Sequence, residues 1–220
     1  MNHEAKLIVF DWDGTLMDSA AHIVSCLQSA ITELELPTKT NDELKNIIGL
    51  GLREALLALY PQASDIELTA LVERYREHFF DQKADPCELF SGARELVEEL
   101  NNQDYFLAVA TGKGRNGLDK VLNETGMGEL FPVTRCADES HSKPHPQMLL
   151  DIIDWYGVDA NETIMVGDSE YDLLMANNAS THSVAVSYGV HEKQRLLDCN
   201  PLICLDNIND LHQWLLNREL

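Results

Sequence analysis

The sequence predicts an α/β protein: a Rossmann-like, doubly wound parallel sheet as the core, with a small helical-bundle cap inserted after the first strand. Three observations support this prediction. Residues 6–10 form a short apolar run with the composition of a buried strand. About sixty-five residues of helical periodicity follow it. From residue 86 onward, strand and helix patterns alternate, which is typical of a parallel sheet with helices on both faces.

The inserted segment is predicted to form four amphipathic helices. Ser19 is the expected N-cap of the first helix, and Thr40 or Asn41 is the expected N-cap of the second. Pro61 ends the third helix, and the fourth covers residues 65–80. Short connections between such helices favour a compact bundle. The predicted domains are therefore the core, residues 1–18 and 86–220, and the cap, residues 19–85.

The remaining elements follow in order along the core. Buried apolar runs indicate four further strands, at residues 106–110, 131–136, 163–166 and 182–186. Two of the helices between them are expected to end at Gly126 and Gly157, because glycine is common just beyond a helix C-terminus. A helix, a strand and a helix are expected to complete the core.

The composition narrows the classes of partner. The chain has 16 lysines and arginines against 37 acidic residues, which gives a net charge of −21. This field repels nucleic acid and anionic membranes, so we expect neither as a partner. It also repels small anions, so a site for an anionic substrate needs its own local positive charge. We expect a monomer or a homodimer that acts on a small molecule.

The cysteines and the N-terminus predict a cellular compartment. The five cysteines are odd in number and contain no C-x-x-C pair, which favours free thiols in a reducing environment. The N-terminus has no basic region followed by a long apolar one, and no apolar run approaches the ~20 residues of a membrane span. We therefore expect a cytoplasmic protein.

Polar side chains stand where four successive strands of the core end: Asp11 and Asp13, then Thr111, then Lys143, then Asp168 and Asp172. In open α/β sheets, ligands bind in the crevice beyond the carboxyl ends of the strands. Clustered carboxylates there raise one another's pKa unless a cation neutralises them, and Mg²⁺ is the divalent ion that suits carboxylates, water and phosphate. A carboxylate nucleophile, a second carboxyl for acid–base work, a hydroxyl and an ammonium group together suit phosphoryl transfer through an aspartyl phosphate.

Two other interpretations of these loops fail. Residues 112–117 read G-x-G-x-x-G, but a dinucleotide fold carries that motif on its first βα turn, with an acid about 20 residues further on. An EF-hand loop starting at Asp11 needs glycine at its sixth position and glutamate at its twelfth. The chain has Leu16 and His22 there.

The ordered set of motifs resembles that of the haloacid dehalogenase superfamily, and within it the phosphatases related to phosphoglycolate phosphatase. The resemblance covers essentially the whole chain. Each motif alone is weak, whereas the set in this order is highly specific. It implies a Mg²⁺-dependent phosphatase that acts on a small phosphorylated metabolite, and the helical insertion corresponds to the family's tetrahelical cap. The four motifs are Asp11-x-Asp13-Gly14-Thr15, Thr111-Gly112-Lys113, Lys143-Pro144 and Gly167-Asp168-x₃-Asp172.

The resemblance also implies roles for the catalytic residues. Asp11 is expected to be the nucleophile, and Asp13 the general acid and base. Thr111 is expected to contact the phosphate, with Gly112 and Lys113 of the same motif as substrate-binding residues. Lys143 is expected to lie between the nucleophile and the phosphate.

The metal ligands follow from the same resemblance. Asp11 and Asp168 are expected to bind Mg²⁺ directly, and Asp13 is expected to contribute its backbone carbonyl. Asp172 is expected to act as an outer or an occasional direct ligand. In the cap, Gly49 and Arg53 resemble a substrate-facing loop, although Arg53 at a simple helix–helix turn is an equally good interpretation.

Several functions remain open on the same residues. A sugar-phosphate mutase, related to phosphoglucomutase, returns the phosphate to another hydroxyl, and an inorganic pyrophosphatase uses the same scaffold. A phosphonate hydrolase would need a cap lysine, for which Lys39 and Lys45 are available. A non-catalytic binding module is disfavoured, because no residue of the catalytic set is missing.

Overall fold

The computed structural model describes residues 5–81 and 87–217, and it confirms the predicted fold class. The strands are β1 (Leu7–Phe10), β2 (Met17–Asp18), β3 (Glu88–Leu89), β4 (Phe106–Thr111), β5 (Val133–Cys136), β6 (Thr163–Gly167), β7 (His182–Val186) and β8 (Cys204–Leu205). The helices are α1 (Ala20–Glu33), α2 (Asn41–Asn46), α3 (Leu52–Leu59), α4 (Asp65–Phe79), α5 (Ala93–Asn102), α6 (Arg115–Thr125), α7 (Gln147–Tyr156), α8 (Glu170–Asn178), α9 (Lys193–Leu197) and α10 (Asp210–Leu216).

Six strands form one parallel sheet in the order β5-β4-β1-β6-β7-β8. The central strand β1 is buried on both faces, as is typical of parallel sheets covered by helices. Ile8 and Phe10 belong to the apolar cluster that includes residues of α5, α6 and α10. Leu7 and Val9 belong to the cluster that includes residues of α7 and α8. This alternation fixes β1 in the middle layer of a doubly wound core.

Helices α1–α4 form the cap and have an apolar cluster of their own, which includes Leu27, Leu56 and Leu71. Capping boxes start two of these helices, at Thr40 for α2 and at Ser64 for α4. The structure thus selects Thr40 from the two predicted caps. The predicted domain limits stay a prediction, because the limit between residues 85 and 86 lies outside the described residues.

A two-stranded antiparallel ribbon, β2 with β3, lies where the chain enters and leaves the cap. Met17 lies opposite Leu89 in this ribbon, and the Phe90 N–H donates to the Leu16 carbonyl at 2.9 Å. The sequence analysis missed the ribbon because two-residue strands are too short to show periodicity. The ribbon ties the two connections of the cap to each other.

None of the helices in the described part of the chain is both long enough and apolar enough to cross a membrane.

The cap core provides a matched pair of substitutions on one helix. Leu71 and Ile66 both lie on α4, but Leu71 is 1% exposed and Ile66 is 82% exposed. Leu71→Ala should lower the free energy of unfolding by about 2–5 kcal/mol, because it leaves a cavity between packed helices. Ile66→Ala should change it by less than about 0.5 kcal/mol. Urea denaturation followed by circular dichroism measures both, and equal losses would contradict the packing described.

Candidate active site

The carboxyl ends of β1, β4 and β6 meet at one edge of the sheet. Phe10 lies opposite Val166 in the register of β1 and β6. Asp11 follows Phe10 directly and Asp168 comes two residues after Val166, so both lie at the same edge of the sheet. The loop that follows β5 brings Lys143 to this edge, and the first turn of α8 brings Asp172. The structure thus brings together five of the predicted catalytic and metal-binding residues, each at most 1% exposed: Asp11, Thr111, Lys143, Asp168 and Asp172.

Lys143 is buried between two carboxylates. Its Nζ lies 2.8 Å from Asp11 Oδ1 and donates a hydrogen bond of 2.5 Å to Asp172 Oδ1. Burial lowers the pKa of Lys143, but the charges of Asp11 and Asp172 outweigh it and raise the pKa above its usual value. The ammonium group is therefore a fixed positive charge beside the predicted nucleophile. Its contact with Asp172 has no counterpart in the sequence analysis.

Asp11, Asp168 and Asp172 form a buried acidic cluster in which one oxygen of each lies within 4.8 Å of the others. Burial raises the pKa of Asp11 to about 7. The charge of Lys143 lowers this pKa, and the charge of Asp172 raises it by a smaller amount. Burial and the charges of Asp11 and Asp172 also raise the pKa of Asp168 well above its usual value. Three acids this close need a cation if all are to be ionised.

The donor set fits a hard divalent ion such as Mg²⁺. Asp11 Oδ2 is buried and has no hydrogen-bond partner within the described ranges, so this oxygen is available to a cation. Asp168 is held in place by two donors, the Thr15 hydroxyl and the Val190 N–H, each at 2.8 Å. Carboxylate oxygens arranged in this way are the ligands that Mg²⁺ prefers.

Asp172 is held more completely than the other two acids. Its Oδ2 accepts hydrogen bonds from the N–H and the hydroxyl of Ser169, at 3.1 and 2.6 Å, and its Oδ1 accepts one from Lys143. Asp172 accepts three hydrogen bonds, one of them from an ammonium group, whereas Asp168 accepts two from neutral donors, so Asp172 fits the role of an outer ligand better than Asp168 does. The Ser169 hydroxyl that bonds it belongs to the first residue before α8.

Gly14 allows the loop after β1 to pass close to the acidic cluster. Its φ of +82° lies in the left-handed region that disfavours side chains. A Cβ added there would overlap the carboxylate of Asp168. The glycine of the first motif is therefore required by both the turn and the close approach.

Asp13 lies apart from the metal-binding cluster. Its Oδ1 accepts a 2.6 Å hydrogen bond from the Ser19 hydroxyl, and its Oδ2 lies 2.9 Å from Lys113 Nζ. Ser19 is the N-cap residue of α1, as predicted, but its side chain does not cap the helix, because its hydroxyl bonds Asp13 instead. The side chain of Asp13 is absent from the acidic cluster, so the expected contribution of Asp13 to a metal rests on its backbone carbonyl.

A cavity of about 540 Å³ opens between the core and the cap. Its lining includes Asp11, Asp13 and Thr111, and also the four predicted substrate-binding residues Gly49, Arg53, Gly112 and Lys113. A Cβ on Gly112 would come within 2.6 Å of the Gly49 carbonyl oxygen, so these two loops touch through their backbones. Arg53 donates to Asp65 at 2.6 Å in an exposed ion pair, which is a contact that sequence spacing did not indicate.

Hydrogen bonds hold the cap loops against the core near this cavity. The Tyr171 hydroxyl donates to the Asn46 carbonyl at 2.9 Å, and His191 Nε2 lies 3.2 Å from the same oxygen. The Gly51 N–H donates to the Ser142 hydroxyl at 2.7 Å. Sequence analysis missed these residues, because contacts between segments so far apart in the chain leave no local pattern.

Comparison with known proteins identifies relatives over nearly the whole chain. A model of the haloacid dehalogenase-like hydrolase family matches residues 8–186. "Probable phosphatase IndB" of Dickeya dadantii is 35% identical over 211 residues, which cover 93% of this chain and 91% of that protein. "Phosphoglycolate phosphatase" of Aliivibrio fischeri is 29% identical over 224 residues, which cover 98% of this chain and 97% of that protein.

The fold has counterparts among solved structures. The crystal structure of a hydrolase from Pseudomonas syringae superimposes with a TM-score of 0.89 and 22% sequence identity, covering 98% of this chain and all of the other. At this identity the similarity establishes the fold alone, which is the parallel sheet with flanking helices described above.

Replacing Asp11 by Asn should stabilise the metal-free protein. Burial raises the pKa of Asp11 to about 7 from an ordinary value of 3.8. The folded state therefore binds more protons than the unfolded state between these values, so the stability of the wild type falls as the pH rises through them. Asn removes the buried charge and keeps an oxygen for Lys143.

In the presence of a chelator, the melting temperature of Asp11→Asn should exceed that of the wild type by a few °C at about pH 8. The difference should disappear near pH 4, where the Asp11 carboxyl is protonated in the folded wild type. Thermal denaturation followed by fluorescence across this range measures it. A difference that does not change with pH would mean that the Asp11 charge is not the cause.

Proposed function

Since this chain belongs to the haloacid dehalogenase-like hydrolase family, we propose that it is a phosphatase that hydrolyses a small phosphate monoester through an aspartyl phosphate on Asp11. The observation that carries the proposal is the buried ammonium of Lys143, 2.8 Å from the carboxylate of Asp11, which lines the cavity. A carboxylate can attack a phosphate dianion only where positive charge screens both.

In the first half of the reaction, an Asp11 oxygen attacks phosphorus and forms the new P–O bond. The bond from phosphorus to the leaving oxygen breaks, and Asp13 gives its proton to that oxygen, so an alcohol leaves. Lys143 balances the negative charge on the phosphoryl oxygens. Thr111, which is 1% exposed and lines the cavity, offers a hydroxyl to the same oxygens.

In the second half, Asp13 acts as a base. It takes a proton from water, the water oxygen attacks phosphorus, and the bond between phosphorus and Asp11 breaks. Inorganic phosphate and the free carboxylate of Asp11 result. The Ser19 and Lys113 contacts to the two Asp13 oxygens hold this carboxylate in one orientation for both halves.

Asp11, Asp168 and the backbone carbonyl of Asp13 would hold Mg²⁺, with Asp172 as the outer ligand. The bound ion supplies positive charge that neutralises the acidic cluster and the phosphate. The unpartnered Asp11 Oδ2 and the raised pKa of Asp168 support this assignment.

We infer that the substrate is a small phosphorylated metabolite of the kind that phosphoglycolate phosphatases hydrolyse, because several relatives carry that name. Gly49 and Arg53 are the proposed cap residues that face it. The net charge of −21 supports neither nucleic acid nor an anionic membrane as a partner, and we propose a cytoplasmic monomer or homodimer.

Asp11 should carry the phosphoryl group during turnover. Brief incubation with a ³²P-labelled substrate and Mg²⁺, followed by acid quench and peptide mapping, should place the label on Asp11. Asp11→Asn should take up no label and lose several orders of magnitude in turnover, because the amide is not a nucleophile. Chelation of Mg²⁺ should abolish both the labelling of Asp11 and the turnover of the wild type. Label on another residue would rule out the assignment.

Asp13→Asn should affect substrates according to their leaving groups. An alkyl phosphate releases a strongly basic oxygen that needs a proton, whereas p-nitrophenol leaves without one. The phosphorylation step should therefore slow by ~10²–10⁴-fold with phosphoglycolate and far less with p-nitrophenyl phosphate. Because the second half also needs Asp13, p-nitrophenyl phosphate should show a burst and then slow turnover. Rapid-quench kinetics measure both, and equal slowing would exclude proton donation.

A further inference from the structure

We propose that Lys113 is a positioning residue for Asp13, and that Phe79 of the cap holds Lys113 in place. The inference rests on the proposed function, because it gives Asp13 the acid–base role. It assigns to Lys113 a task other than substrate binding, and it makes a cap residue part of the support of the acid–base carboxylate.

The first observation is that both oxygens of Asp13 are occupied. Lys113 Nζ lies 2.9 Å from Oδ2, and the Ser19 hydroxyl donates to Oδ1 at 2.6 Å. The Lys113 and Asp13 side chains are 7% and 10% exposed, so little water competes for the ion pair. Two donors on opposite oxygens fix the plane of a carboxylate, as one donor alone does not.

The second observation is the position of Phe79, the last residue of α4 in the cap. The Lys113 ammonium lies 4.4 Å from the centre of the Phe79 ring, within the range of a cation–π contact. Tyr75 stacks on the same ring at 5.8 Å, and the His22 ring lies 5.4 Å from it. The ring is thus held within the cap and in turn holds the ammonium against Asp13.

The third observation is Gly117, which lies inside α6 where glycine weakens a helix. A Cβ there would come within 2.9 Å of Lys113 Cγ and 3.2 Å of Cδ. The aliphatic part of Lys113 therefore runs across the bare backbone of this turn on its way to Asp13. The space that the Lys113 side chain needs explains why glycine occupies position 117 inside a helix.

These contacts also explain why Lys143 and Lys113 have different roles. Lys143 faces the nucleophile and is fully buried, whereas Lys113 is engaged by Asp13 and Phe79. The ion pair of Lys113 is with the acid–base carboxylate, whereas that of Lys143 is with the nucleophile itself. Its effect on the reaction should therefore pass through Asp13.

The test is a double-mutant cycle of Lys113→Met and Asp13→Asn, with the phosphorylation step measured by rapid quench. Lys113→Met should slow this step about 10–100-fold with phosphoglycolate, since a misplaced general acid lowers the rate by about that factor. With p-nitrophenyl phosphate the rate should change by no more than about threefold. In the Asp13→Asn background, the same substitution should have no further effect. Lys193→Met, which removes an exposed ion pair with Asp206, is the matched control and should leave both rates unchanged.

Two further variants keep every charge in place, so they test the inference even if Lys113→Met folds poorly. Phe79→Leu and Gly117→Ala should each slow the phosphorylation step, and the slowing should be several-fold greater with phosphoglycolate than with p-nitrophenyl phosphate. Equal slowing of the two substrates, or additive losses in the cycle, would show that Lys113 acts on the substrate directly and would overturn the inference.

If the wild type hydrolysed neither substrate, the proposed function would fail on its own. Crystal structures of the wild type and Lys113→Met would then decide the inference separately. It requires the Asp13 carboxylate to turn out of its wild-type plane in the variant, where of the two donors Ser19 and Lys113 only Ser19 remains. An unchanged Asp13 would overturn it.

Discussion

Burial of three carboxylates beside a single ammonium group is the constraint on which the site depends. Asp11, Asp168 and Asp172 lie within 4.8 Å of one another, and Lys143 contacts two of them. One positive charge cannot balance three negative ones in a buried site, which is why burial raises the pKa of Asp11 and Asp168. The fold thus holds an uncompensated negative charge that a divalent cation would balance.

The parallel sheet makes this arrangement possible. Strands β1, β4 and β6 run in one direction and are hydrogen-bonded neighbours, so the residues that follow them gather at one edge. Helices on both faces bury β1 and leave that edge as the open crevice. The β2–β3 ribbon sits where the chain enters and leaves the cap, so the cap is anchored over this crevice by both of its connections.

Asp11 and Asp13 are two residues apart in the chain but have different surroundings. Asp11 faces Lys143 and the acidic cluster, with one oxygen lacking a hydrogen-bond partner among the described residues. Asp13 is held on both oxygens by Ser19 and Lys113. This difference suits one carboxylate to attack and the other to transfer protons, as the proposed function requires.

Apart from the β2–β3 ribbon, the sequence alone determined the order of strands and helices and the residues at the strand ends. Periodicity and capping are local, so the glycines at 126 and 157 marked helix limits correctly, and the N-cap of α2 was narrowed to Thr40 or Asn41. Because parallel strand ends share an edge, local elements were enough to place Asp11, Thr111 and Asp168 together. Lys143 was expected at the same edge, and the family motifs added its role between the nucleophile and the phosphate.

Only the tertiary structure decided which partner each of these side chains meets. The Lys143–Asp172 bond, the Ser19–Asp13 bond and the Arg53–Asp65 pair depend on loop paths and side-chain rotamers. The contact of Phe79 with Lys113 joins residues of two different domains. Sequence patterns indicate which face of a helix or strand is apolar. They do not indicate which polar groups meet across a cleft, because such contacts have no period along the chain.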